Sequence, residues 1–117
     1  MIEQLIARVF HDRNVAHWNH WRAPTLAVHL ELEEFYKDAI KALDALVEGY
    51  QGAFDLIGAI PAPKAESSDP AELLEETSNW IEDNHEGICH GNSAVANMLD
   101  TLAGVYLTTL YKLKHLK

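Results

Sequence analysis

An all-α fold is what this sequence predicts: one bundle of four helices over residues 1–117, with a long second helix and a crossing linker after it. Three observations point there. Apolar residues recur at three- and four-residue steps along four separate stretches. Strong stop and start signals, Ala23-Pro24, Asp69-Pro70 and Gly91-Asn92, fall between them. The segment from Gly58 to Ser68 carries prolines and small residues and no helical pattern, which makes it a connection. At 117 residues the chain has enough surface to bury for one core and not for two.

The first helix is expected over residues 2–21. Ile2, Leu5, Ile6, Val9, Ala16 and His17 share one face, so His17 should point to the core or to a partner. Pro24 pushes Ala23 out of helical geometry, and Thr25 can cap the second helix. That helix should run from about Leu26 to about Ile57. Its expected inward side holds Leu26, His29, Leu30, Glu33, Tyr36, Ile40, Leu43, Val47 and Phe54. Gly49 and Gly52 weaken its last turns by about 1 kcal/mol each against alanine, so it can end near Gly52. The linker is then long enough to cross one end of a bundle.

Asp69, Pro70 and Glu72 spell a helix start, with Asp69 as cap and Glu72 placed to close a capping box. Leu73, Leu74, Thr77, Trp80, Ile81 and Ile88 form the third buried stripe, and Gly87 and Gly91 mark the exit. Asn92 or Ser93 opens the fourth helix, lined by Val95, Met98, Leu99, Leu102, Val105, Tyr106, Thr109, Leu110 and Leu113. It ends in a basic run, Lys112, Lys114 and Lys117, where the helix dipole favours positive charge. Four helices with a crossing linker after the second are the ferritin-like arrangement of a bundle.

Composition narrows the partners. A net charge of −9 opposes nucleic acid and anionic membranes, and the one small basic group is terminal. Apolar runs fall short of a membrane span, and the first residues show no signal-peptide pattern. The single cysteine, Cys89, cannot form an internal disulfide, so a reducing cytoplasm is the expected setting.

Chemistry concentrates between His17 and Glu48. His29 and Glu33 lie one helical turn apart, and so do Asp44 and Glu48. All four fall within a sector of about 100° on the second helix, yet the pairs are separated by about 22 Å of rise. One helix cannot bring both pairs to one ion. An antiparallel copy of the same helix can, about a two-fold axis near Ala39 that creates two equivalent sites, with Ala39 and Ala42 allowing close approach. His17 joins from the first helix. Imidazole mixed with carboxylate suits Fe(II), Mn(II) or Zn(II) better than Mg or Ca, and iron leads.

His17-Trp18, then His29-x-x-x-Glu33, then Asp44-x-x-x-Glu48, resembles the ferroxidase motif of the Dps family, the mini-ferritins. The resemblance covers about residues 10–52. HWNHW and VEGYQG are similar to small ferritin-like proteins encoded by bacteriophages. It implies a site shared across a dimer two-fold, in which His17, His29, Glu33, Asp44 and Glu48 bind iron and Fe(II) is oxidised to Fe(III) by peroxide or oxygen. Trp18 would be the nearby oxidisable ring. Cellular members carry a basic tail for DNA and a short helix between the second and third; without either pattern here, a homodimer or higher homo-oligomer that does not bind DNA is expected.

Other expectations are weaker in signal. His20, three after His17, can chelate with it or serve as packing, and Trp21 should pack in the bundle. Glu82-x-x-His85 is half of an intrachain di-iron pattern with no second copy on the fourth helix, where Asp100 is followed by Ala103. His85, Cys89 and His90 lack a fourth zinc ligand, and Cys89 is expected as a buried filler. The alternative functions are a bundle that keeps the scaffold and serves only as a binding or structural module, and an intrachain di-iron carboxylate oxidase built on Glu82 and His85.

Overall fold

A computed structural model describes residues 1–64 and 67–116. Part of the expected linker, Ala65 and Glu66, and the last basic residue, Lys117, lie outside these residues. Four helices form: α1 (Ile2–Trp21), α2 (Leu26–Ala53), α3 (Pro70–Cys89) and α4 (Ser93–His115). Among the described residues there is no strand, and no helix is long and apolar enough to cross a membrane.

Local signals set the boundaries. Thr25 caps α2 by accepting from Val28 N–H, and Asn92 caps α4 by accepting from Val95 N–H. At α3, Asp69 accepts from Glu72 N–H as expected. The expected capping box closes through a relay, however. Asp69 N–H donates to the Ser67 hydroxyl, which donates to the Glu72 carboxylate at 2.7 Å. Between α3 and α4 the left-handed position is taken by His90, at φ 48°, with Gly91 following at φ 75°.

α2 stops at Ala53, earlier than Ile57, once the glycines have weakened it. The side chain of Gln51 then accepts from Ile57 N–H and turns the chain away. The linker is correspondingly longer, residues 54–69, and crosses more than one end of the bundle. Gly58 N–H donates to Glu3 at the start of α1, while Asp69 and Pro70 sit beside Val28 and Leu32 near the start of α2. The chain therefore travels the length of the bundle, and α3 runs parallel to α2. Lys112, near the end of α4, pairs with Glu34 at 3.1 Å and Glu31 at 3.6 Å near the start of α2. The order is up, down, down, up, with α2 packed on α1 and α4, and α3 packed on α4 and α1.

The core differs from the expected stripe in one place that matters. On α2 the buried residues are Leu32, Phe35, Ala39, Ala42, Leu43 and Leu46. That face is turned by about 100° from the expected inward side. Leu26, Leu30 and Phe54 are exposed, Leu26 by 70%. On α1, His20 is buried and His17 only half so, while Trp21 is 69% exposed instead of packing inside.

A polar group crosses this core. Tyr106 O–H donates to the Asp12 carboxylate at 2.7 Å, joining α4 to α1 where both residues are buried. Burial pushes the Asp12 carboxyl up to about 6 from an ordinary 3.8, against hydrogen bonds from Thr77 and Tyr106 and the charge of Arg8. Between those values the folded chain holds a proton that the unfolded chain has released. Stability from this group is full below about 4 and lost as pH rises through about 6. Asp12→Asn is expected to flatten that dependence, so that wild type loses on the order of 2–3 kcal/mol relative to the variant between pH 4 and 7. Urea unfolding of both chains across that range checks it; equal slopes would show that Asp12 titrates normally.

Candidate metal centre

The short turn between α1 and α2 brings their histidines together. His20 Nδ1 donates to the backbone carbonyl of His29 at 2.7 Å, and His29 Nδ1 donates to the carbonyl of His20 at 2.8 Å. A carbonyl offers no hydrogen, so each ring must carry its proton on Nδ1. Each Nε2 is thereby left with the lone pair a metal needs. The His20 carbonyl belongs to the last turn of α1 and accepts from Ala23 N–H at 3.4 Å as well as from the His29 ring. The two rings stack with centroids 3.7 Å apart.

His17 sits one turn back on α1. Its ring stacks on Tyr36 at 4.2 Å and meets Trp21 at 4.7 Å. Desolvation first, then the charges of Arg13 and His20, hold its pKa below the ordinary value, which favours the neutral ligating form. Trp18 is exposed beside it in sequence. Glu33, a turn beyond His29, pairs with Lys37 at 3.6 Å.

Asp44 and Glu48 stand far down α2, about 22 Å of helix rise from His29. Both are exposed, and with Phe10, Leu43 and Val47 they line a shallow depression of about 380 Å³ between α1 and α2. The chain thus gathers His17 and His29 with His20 at one end of the α1–α2 hairpin, and Asp44 with Glu48 at the other. Among the described residues no three His, Cys, Asp or Glu side chains in one chain could hold an ion. Ala39 and Ala42, expected where two copies of α2 cross, are buried in the chain's own core. On the face that carries the candidate ligands, the middle position belongs to Ile40.

Sequence reasoning did not find the mutual bonding of His20 and His29. Its only trace is a pair of histidines straddling a proline turn. At the other end of α3, His85 Nε2 donates to Asp100 at 2.8 Å, and Glu82 is exposed. Cys89 is buried as expected, and burial followed by the charges of Asp100 and Glu86 pushes its thiol up, away from the thiolate.

The family of unknown function DUF5856 matches residues 20–113. No curated protein and no solved structure matches the chain.

The bonding at the corner has a direct spectroscopic consequence. Long-range ¹⁵N–¹H correlation at pH 8 is expected to show His20 and His29 both protonated at Nδ1. A dominant Nε2–H form for His29 would mean that its lone pair faces a carbonyl and that it cannot ligate as assigned.

Proposed function

We propose that this chain, which belongs to the DUF5856 family, is an iron-binding, Dps-like protein that oxidises Fe(II) at a site shared between two copies. The observation that carries this is the placement of the two ligand pairs. His29 and Glu33, and Asp44 and Glu48, lie on one face of α2, turned away from the core and too far apart to close on one ion. An antiparallel second α2, centred beside Ile40, would set the Asp44/Glu48 end of one copy against the histidine corner of the other. The up, down, down, up order of the helices supports a ferritin-like bundle.

The donor set fits the metal. His29 offers Nε2, His17 has no protein hydrogen bond among the described residues, and three carboxylates supply negative charge that favours Fe(III) over Fe(II). Iron is the substrate: each Fe(II) gives up one electron, and a peroxide takes two electrons and two protons to leave as water. Zn(II) or Mn(II) would occupy the same donors without completing that exchange at comparable rate. Exposed Phe10, Trp18, Leu26 and Leu30 give the shared face apolar area to bury. A charge of −9 argues against DNA as a partner.

A second reading, a bundle that serves only as a binding or structural module, is favoured if the chain stays single, because among the described residues one copy gathers no complete ligand set. Light scattering of the iron-loaded protein decides between them: a dimer or larger assembly is expected, and a strict monomer with iron bound would sink the shared site.

The chemistry is tested separately. Stopped-flow absorbance is expected to show peroxide oxidising bound Fe(II) faster than free Fe(II), with Asp44→Ala losing that acceleration while keeping its helices. Asp44 is exposed and makes no hydrogen bond among the described residues, so its removal should change stability by no more than about 0.5 kcal/mol. Equal rates in both proteins would leave only the scaffold.

A further inference from the structure

We propose that His17 and His20 form a second metal site, complete within one chain, that takes a late first-row divalent cation such as Cu(II) through two imidazole nitrogens. The two residues stand one turn apart on α1, with ring centroids 6.2 Å apart and planes tilted by 58°. Two imidazoles sharing one ion through nitrogens at about 2.0–2.1 Å have centroids about 4.5 Å apart at a right angle at the metal and about 5.5 Å apart at 120°. Closing the remaining distance falls to the His17 ring, because the His20 ring is held by its Nδ1 bond.

The corner prepares both donors. His20 spends Nδ1 on the His29 carbonyl, so its ligating atom is Nε2. His17 has no hydrogen bond among the described residues, and its ring is braced by Tyr36 and Trp21. Ordering two already confined rings costs less than ordering two free ones. His29 is left out for a geometric reason: nearly parallel rings 3.7 Å apart cannot aim both nitrogens at one ion.

Class of metal is set by the donors. The pair contains no carboxylate, the neighbouring His29 ring lies stacked on His20, and no group of three His, Cys, Asp or Glu among the described residues could hold an ion, so water fills the other positions. Neutral nitrogen donors favour Cu(II), Ni(II) and Zn(II) over Mn(II), with Cu(II) bound most tightly. The site has His17 in common with the shared iron centre, but it needs neither a second copy nor a carboxylate.

The test uses Cu(II) and the Asp44→Ala chain, in which the shared centre is broken and the imidazole pair is intact. Equilibrium titration should give one Cu(II) per chain, and electron paramagnetic resonance should show hyperfine splitting from two nitrogens. Adding His20→Ala should weaken binding at least tenfold. Adding His17→Ala, a half-exposed position that makes none of the corner's hydrogen bonds, should weaken it equally and covers the case in which His20→Ala fails to fold. Unchanged affinity in the His17 variant, or a spectrum without nitrogen splitting, would overturn the proposal. Iron oxidation that ignores Asp44→Ala, with copper still held by the pair, would instead defeat the shared centre alone.

Discussion

Two hydrogen bonds at the α1–α2 corner, each running from one histidine ring to the other residue's carbonyl, determine how the rest of the hairpin is set. They fix the axial register of α1 against α2 at the point where the chain reverses. With that register, His17 falls on Tyr36, and further along Phe10 falls beside Leu43 and Val47. Slipping either helix by a turn, about 5.4 Å, would break both bonds and leave two imidazole N–H groups without partners. The same bonds choose which nitrogen of each ring is free. Packing and chemistry at this corner therefore cannot be altered independently.

The second constraint is the circumference of α2. Its buried face, from Leu32 to Leu46, is served by α1 and α4. A different side still carries Leu26, Leu30, Ile40 and Val47 among the acids. A helix that is apolar on more than one side either sits inside a larger body or has something further to cover it. Ala39 and Ala42 are buried within the chain's own core.

Much of this architecture is legible in the sequence. Helix starts at Leu26, Pro70 and Ser93 are set by Thr25, Asp69 and Asn92, whose side chains bond only to nearby backbone and so declare themselves locally. The inward face of α2 is not legible, because apolar residues at helical steps occupy two sides and periodicity alone cannot rank them. Candidate ligands emerge from spacing, a local property. The partner of His29 does not, since it depends on how a four-residue connection folds back. Asp12 reads as one acid among many; its burial depends on Tyr106 and Thr77, both far away in sequence. For the linker, composition reveals its presence but not its path, which depends on where α2 stops and on Glu3 receiving Gly58.

That path divides the chain in an unexpected way. Each half, α1 with α2 and α3 with α4, is a hairpin joined by a short turn, and the linker running the length of the bundle is all that connects them covalently. Each hairpin gathers contacts close in sequence, and docking of the two halves, α2 on α4 and α1 on α3, brings together residues far apart in sequence. Loop-closure cost grows only slowly with length, so added residues in the linker burden that docking lightly, whereas an insertion at Ala23-Pro24 would shift one helix along the other. All five candidate iron ligands belong to the first hairpin. The second serves them by covering the first, through α4 on α2 and α3 on α1.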